Sequence, residues 1–391
     1  MERSHCGESG CSVEPDLSTD SEAGSSKRSF FGMNICFLAG TLGRGGAERQ
    51  LCFMLRALQG EGLNPKLLCL TRGESLEKEI RDLGVEVTWV GSSGNRLLRM
   101  GEIYKTAHAM KLSLIQSSHF YTNTYAGAVS KLMGIPSIGA IRSDLKSELR
   151  ANPVFGKLHL RLPDRLIANS RVGRDNAIAS GVPPHRLDLV PNVVEKRGSL
   201  NGSKASGGRF TFLFSGRLVW QKRPELFIQL AARLSASMPD RELRFLVLGD
   251  GVLRRELEAR AAALNLLPAR ISFLGERSDV DTVYSEADAL VLTSKIEGTP
   301  NVVLEAMSHG IPVVATSVGG IKDLVTKSRG ILVDPLDFDG LTQAARKLVV
   351  DREFGRALGA DGRRYVEQSH SVEKLGKSLI QIYNKAVGRS S

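Results

Sequence analysis

Glu297 and Glu305, eight positions apart in the run Glu297-Gly298-Thr299-Pro300-Asn301-Val302-Val303-Leu304-Glu305, are the side chains best suited to chemistry in this sequence. Pro300 is placed to open a helix, because its missing N–H would be unpaired in a first turn anyway. Glu297 then falls on the loop before that helix and Glu305 inside it. A helix start offers unpaired N–H groups and partial positive charge to a phosphate, while flanking carboxylates accept hydrogen bonds from hydroxyls. Sugar nucleotides carry both groups. A second set follows the apolar run 210–214, where Gly216-Arg217-Leu218-Val219-Trp220-Gln221-Lys222 puts two cations at the end of a predicted strand. Ligands of open α/β sheets collect at such ends. Fixed cations there act where negative charge grows on a departing diphosphate.

Positioning these groups requires a scaffold, and the pattern along the chain supplies one. Short β-branched runs alternate with helix-length segments, which argues for parallel sheets built from βαβ units. Strands are predicted at 33–39, 66–70, 85–90, 114–116, 137–141 and 165–168, with an amphipathic helix at 47–59. After a polar, glycine-rich stretch at 196–208 a second series begins: 210–214, 244–248, 271–273, 289–293, 312–315 and 331–333. The fold class is α/β, with two doubly wound Rossmann-like domains, 30–195 and 209–371, facing a central cleft. Residues 1–29 are rich in Ser, Gly and acidic groups and poor in apolar ones, and are expected to be disordered.

At 391 residues the chain has room for two domains with separate cores. No apolar run reaches the roughly 18 residues of a spanning helix, and the first residues lack a signal-like basic start and apolar stretch. The expected location is therefore cytoplasmic. The net charge of +11 favours anionic partners. Aromatic residues make up 6% of the chain and do not interleave with the basic clusters, so nucleic acid is not an expected partner. Arg96, Arg99, Lys105 and Lys111 in one segment, and Arg161, Arg165, Arg171 and Arg174 in another, read first as solvated faces and second as contacts to an acidic membrane surface. Of the five cysteines, Cys36, Cys52 and Cys69 sit among apolar neighbours and read as buried thiols; His5, Cys6 and Cys11 lack a fourth metal ligand.

Gly43-Arg44-Gly45-Gly46-Ala47-Glu48 follows the first predicted strand and opens a helix, so its amides suit an anion. A dinucleotide site would also want an acidic residue closing the second strand, and Leu70-Thr71-Arg72 offers none. His119 follows the strand 114–116, at the cleft edge if the strand order is ordinary. Asp279-Val280-Asp281 looks like a metal-binding pair, yet Ser278 capping a helix whose dipole both aspartates complement is the simpler reading, and no metal is assigned.

The Glu-x7-Glu spacing with Gly298, Pro300 and Glu305-Ala306-Met307, followed by Gly310-Ile311-Pro312-Val313-Val314-Ala315-Thr316 and Gly319-Gly320, closely resembles the retaining glycosyltransferases of family 4, from about Met33 to the C-terminus. The resemblance implies the GT-B arrangement, with the final helix within 372–391 returning to the first domain. It implies transfer of a sugar from a nucleotide diphosphate donor of UDP or GDP type to a hydroxyl of a glycan or lipid-linked acceptor, with no metal or other cofactor. In that reading Arg217 and Lys222 stabilise the diphosphate and Glu297 orients the donor sugar. Glu305 holds the ribose, Asn301 and Val302 offer amides to phosphate, and the backbone near Gly216, Gly275 and Arg277 contacts the nucleotide. Gly45 and Gly46 face the donor diphosphate, His119 positions substrate, and Arg44 lies on the acceptor side. Two departures stand out. Pro191-Asn192-Val193 replaces Pro-Asn-Gly, expected to touch the interdomain turn and not the donor site. Arg142, where the family often has histidine, suggests an anionic acceptor. The rival readings are an epimerase or hydrolase of the same shape, which would consume donor without acceptor, and a nucleotide-sugar binding protein without turnover.

Overall fold

A computed structural model describes residues 33–196 and 208–388; the tail 1–29, with His5, Cys6 and Cys11, and most of the 196–208 stretch lie outside the described residues. Seven strands make the first sheet: β1 (Ile35–Ala39), β2 (Lys66–Cys69), β3 (Val87–Trp89), β4 (Leu114–Ser117), β5 (Ser137–Ile141), β6 (Arg165–Ala168) and β7 (Leu187–Leu189). They pair in parallel in the order β3-β2-β1-β4-β5-β6-β7. The second sheet holds β8 (Phe210–Ser215), β9 (Leu243–Leu248), β10 (Ile271–Gly275), β11 (Ala289–Leu292), β12 (Val313–Thr316) and β13 (Gly330–Val333), ordered β10-β9-β8-β11-β12-β13. Both sheets reverse direction of winding once, between β1 and β4 and between β8 and β11. Such switch points open a crevice at the carboxyl ends of the strands, where both clusters of candidate residues fall.

The strands are apolar on both faces because helices cover both faces. In the second sheet Phe210 tilts against Phe212 at a centroid separation of 4.7 Å, Phe212 stacks on Phe245 at 5.3 Å, and Phe227 from the helix Pro224–Ser237 meets Phe245 edge-on at 5.9 Å. Truncating one such fully buried ring costs about 3–5 kcal/mol.

The last helix, Val372–Ala386, packs on the first domain against the helix Gly46–Gly60. Gly376 sits so close that a Cβ there would lie 2.8 Å from the Ala57 carbonyl. Buried Tyr383 donates its hydroxyl to Gln116 Oε1 of β4 at 2.7 Å. Cys36, Cys52 and Cys69 are buried free thiols, and burial pushes Cys36 to about 12 and Cys52 to about 11.

Candidate functional site

The loop after β8 is built to hold Lys222. Gly216 N–H bonds the Leu248 carbonyl and Leu218 N–H the Asp250 carbonyl, so the loop rests on Gly249-Asp250-Gly251. Gly249, at a φ of +121°, is required there, since a Cβ would stand 2.2 Å from the Gly216 carbonyl oxygen. The far end is stitched to the loop after β11. Lys295 N–H donates to the Gln221 carbonyl at 2.8 Å, and the Thr293 hydroxyl reaches the Lys222 and Arg223 carbonyls at 2.9 and 2.8 Å.

These bonds bring Lys222 Nζ to 2.5 Å from Glu297 Oε1, which also accepts from Ser294 Oγ at 2.6 Å. Both partners are largely shielded, at 18% and 7% side-chain exposure, so their attraction is weakly screened. Arg217 is exposed, and among the described residues its side chain has no hydrogen bond or ion pair. One cation is therefore held in the resting protein and one is open.

The helix after this loop runs Asn301–Ser308, with Pro300 at its N-cap, one position earlier than a first-turn proline. Asn301 and Val302 amides have no intrahelical acceptor at such a start. Glu305, one turn on, accepts from the Tyr284 hydroxyl at 2.9 Å. Burial, with the Glu305 carboxylate beside it, pushes the Tyr284 phenol well above its ordinary value, so it stays a donor. The His309 ring stacks on Tyr284 at 5.2 Å and its Nδ1–H donates to the Glu305 carbonyl at 2.8 Å.

Arg277 does not stand free. Its guanidinium grips Asp279, at 2.7 Å from Nε. Asp279, not Ser278, is the N-cap of the helix Val280–Glu286, and it caps through no side-chain bond; its carboxylate is drawn instead to Arg277, which holds it below its ordinary value. Asp281 lies 3.4 Å from His309 Nε2. The two aspartates thus serve different partners. Among the described residues no group of three metal-ligating side chains occurs.

On the first domain, the loop after β1 reaches across to the second. Asn301 Nδ2 donates to the Gly46 carbonyl at 3.0 Å, while Asn301 Oδ1 accepts from Asn192 Nδ2 at 2.8 Å and Gln50 Nε2 at 3.2 Å. Gln50 brackets Val193 through Val193 O at 2.7 Å and Val193 N–H at 2.9 Å. Asn192 Nδ2 also reaches the Thr299 carbonyl at 3.0 Å. Asn192 therefore bonds directly to the head of the Asn301–Ser308 helix, while Val193, the position of the departure, is held by Gln50. Gln50 was not singled out from the sequence, and Asn192 was read only as part of the interdomain turn; amides carry no spacing signature. Arg44 Nη1 lies 3.9 Å from Glu276, beside Gly275, and so faces the second domain across the cleft.

His119 is buried, with both ring nitrogens engaged. Nδ1 accepts from Gly40 N–H at 3.1 Å, so Nε2 carries the proton that meets Glu48 Oε1 at 3.1 Å. Thr41 donates to the same oxygen at 2.6 Å. Burial pushes the Glu48 carboxyl up, but these hydrogen bonds outweigh it and hold the group below its ordinary value. With no free nitrogen, His119 shapes the loop rather than taking a proton. Arg142 turns inward. Its guanidinium lies 3.4 Å from Asn192 Oδ1 and 3.4 Å from Met54 Sδ, and burial lowers its pKa to about 10.

Residues 209–351 match the family model described as Glycosyl transferases group 1, and residues 44–196 the model described as Glycosyltransferase Family 4. The GalNAc-alpha-(1->4)-GalNAc-alpha-(1->3)-diNAcBac-PP-undecaprenol alpha-1,4-N-acetyl-D-galactosaminyltransferase of Campylobacter jejuni is 26% identical over 365 residues, spanning 90% of this chain and 99% of that protein. The UDP-Gal:alpha-D-GlcNAc-diphosphoundecaprenol alpha-1,3-galactosyltransferase of Escherichia coli is 24% identical over 303 residues, 72% of this chain and 77% of that protein. The crystal structure of Anabaena Alr3699/HepE in complex with UDP superposes with a TM-score of 0.79 over 90% of this chain and 100% of that one; at 20% identity this is a likeness of fold.

Proposed function

The chain belongs to the family 4 glycosyltransferases with the GT-B fold, and from that premise we propose that it moves a sugar from a nucleoside diphosphate donor to a hydroxyl of a lipid-linked or glycan acceptor, with retention at the anomeric carbon and without a metal. The single observation that carries this reading is the meeting of Lys222 with Glu297 below the Asn301–Ser308 helix start. Lys222, Arg217 and the Asn301 and Val302 amides take the diphosphate; the charge growing on its departing oxygen is met by cations, the role a divalent ion fills elsewhere. Glu297 then turns to the sugar hydroxyls, and Glu305, held by Tyr284, accepts from the ribose. The bond from the anomeric carbon to the diphosphate oxygen breaks while the acceptor oxygen attacks the same face. The acceptor proton passes to the departing diphosphate, since His119 has no nitrogen to receive it. The C. jejuni and E. coli relatives are named for undecaprenol-linked acceptors, which supports an acceptor of that class.

Thermal unfolding across UDP, GDP and ADP and their sugars tests the donor half. One nucleoside diphosphate is expected to stabilise the fold by about 2.7 kcal/mol at a hundredfold excess over its Kd. The product made from the matching donor should keep the donor's anomeric configuration by NMR and should form equally well in excess EDTA. Stabilisation by none of the diphosphates, an inverted product, or release of free sugar at the same rate with and without acceptor would each overturn the reading.

No helix among the described residues is long and apolar enough to cross a membrane. The helix Arg96–Ala109 instead presents Leu97 and Leu98 at 73% and 66% exposure. Arg96 lies 4.8 Å from the Phe155 ring, itself exposed beside Leu158 on the helix Pro153–Arg161. Exposed leucines on a helix that also carries Arg96, with Phe155, Lys157 and Arg161 exposed on the helix that Arg96 meets, suit an anionic bilayer surface. The other predicted basic positions are largely engaged elsewhere: Arg99 on the Ser93 carbonyl, Arg165 on Asp188 and Arg174 near Asp175. Cosedimentation with phosphatidylglycerol vesicles should fall at least tenfold in a Leu97→Glu/Leu98→Glu variant and be weak on phosphatidylcholine. Equal binding by the variant removes the membrane contact from the proposal.

A further inference from the structure

Beyond the donor grip, the first domain carries an aromatic surface that the transfer reaction as derived above does not use. Tyr121 is 43% exposed, although it stands in a turn, Phe120–Thr122, whose other two residues are buried. That turn is rigid. Thr122 Oγ1 donates to the His119 carbonyl at 2.9 Å and lies 2.6 Å from Ser117 Oγ, and Thr122 N–H bonds the same carbonyl at 3.1 Å. The Tyr121 ring stacks on His119 at 5.3 Å and 29° and lies across Gly40, where a Cβ would collide with the phenol oxygen at 1.9 Å. The ring thus rests on His119 and against Gly40, at the switch point between β1 and β4, over the loop whose other end touches Asn301 through Gly46.

A carboxylate stands near it: Thr71 Oγ1 lies 3.4 Å from the carbonyl of Gly40, the residue under the phenol, and 2.6 Å from Glu74 Oε2. Burial raises the Tyr121 phenol to about 12. Glu74 Oε2 is taken by Leu42 N–H and by Thr71 Oγ1. Glu74 Oε1 has no hydrogen-bond partner among the described residues. A pinned aromatic face with an adjacent open carboxylate oxygen matches the two faces of a pyranose, whose axial C–H groups are apolar and whose equatorial hydroxyls donate. Rigid aromatic surface supplies contact area at low entropic cost.

We propose that Tyr121 and Glu74 form an acceptor subsite that receives a sugar ring, the ring stacking on the Tyr121 face and a hydroxyl donating to Glu74 Oε1. The proposal rests on the glycosyltransferase reading and narrows it: the group next to the nucleophilic hydroxyl is a saccharide, not a bare lipid phosphate or a cyclitol phosphate. Tyr121 fixes which acceptor is bound, and takes no part in breaking the donor bond.

Saturation-transfer NMR on the full chain, loaded with the nucleoside diphosphate that stabilises it, tests this with the methyl α-glycosides of glucose, galactose, N-acetylglucosamine and N-acetylgalactosamine, and with inositol 1-phosphate as the non-saccharide arm. At least one glycoside should receive saturation, strongest at the C–H protons of one ring face. Tyr121→Phe should retain that binding, Tyr121→Leu should weaken it at least tenfold, and Glu74→Gln should weaken it about threefold. Diphosphate stabilisation should be the same in all three variants. Glycoside binding by Tyr121→Leu within twofold of the parent, binding of no glycoside, or stronger saturation of inositol phosphate overturns the subsite while leaving the donor reading intact. Loss of diphosphate stabilisation in the parent protein would instead mark failure of the donor reading.

Discussion

Replacing Lys222 with alanine is expected to lower turnover by about a hundredfold or more, the loss seen when one preorganised charge-stabilising donor is removed from a transition state. The argument is electrostatic. As the sugar–oxygen bond lengthens, charge accumulates on the diphosphate, and a cation already fixed beside it stabilises that charge without reorganising solvent. In the resting protein Lys222 is kept in place by Glu297 at 2.5 Å. The substitution therefore also strands a carboxylate that is 7% exposed and, among the described residues, left with Ser294 alone to bond it, and breaking such a shielded pair costs about 3 kcal/mol. The two effects separate in a Lys222→Ala/Glu297→Gln double variant. Its melting temperature should recover most of the loss while turnover stays low. Steady-state kinetics beside thermal melts reads both. A folded Lys222→Ala protein with unchanged turnover removes Lys222 from the leaving-group role.

The second large effect is expected at a residue that touches no ligand. Gly319 has a φ of +48°, and a Cβ there would stand 1.9 Å from the carbonyl oxygen of Glu297; the neighbouring Gly320 N–H bonds the Gly298 carbonyl at 2.8 Å. Gly319→Ala must then push the acidic loop, both by the strained conformation and by direct collision with its backbone. The displacement carries Glu297 away from Lys222 and from the donor sugar. A shift of about 1 Å in a positioned group is worth roughly a hundredfold in rate, so kcat/KM should fall by about that factor while the far-UV spectrum is retained. Activity within threefold of the parent would show that the loop yields elsewhere and that its placement is not rate-determining.

How much of this was legible in the sequence differs by scale. The strands 137–141 and 165–168 have the bounds read from the sequence, because continuous apolar runs bounded by turn residues leave little freedom. β7 was missed: Leu187-Asp188-Leu189 is too short a run to stand out, and the strand is defined by its parallel pairing with β6, beside which Arg165 donates to Asp188 at 2.7 Å. The loops of Lys222 and Glu297 were legible as site loops from glycine placement and strand ends, and the structure joins the two side chains. The bracket of Gln50, Asn192, Val193 and Asn301 was not legible. Its members lie up to 251 positions apart and are joined by amide geometry, which only a folded cleft creates. The inward turn of Arg142 and the doubly engaged ring of His119 escaped for the same reason: a residue type states what it can bond, and the neighbours decide what it does.

The return of the Val372–Ala386 helix to the first domain has a consequence for biosynthesis. Tyr383 and Gln116 are 267 positions apart, so a nascent polypeptide emerging from the ribosome builds the first sheet long before the segment that seals it exists. Until then the outer face of the Gly46–Gly60 helix that Gly376 closes upon remains open to water, and the second domain must form in the interval. Messages cut short before codon 372 would release a product with both sheets wound and one flank bare, an aggregation-prone species for quality-control proteases to clear.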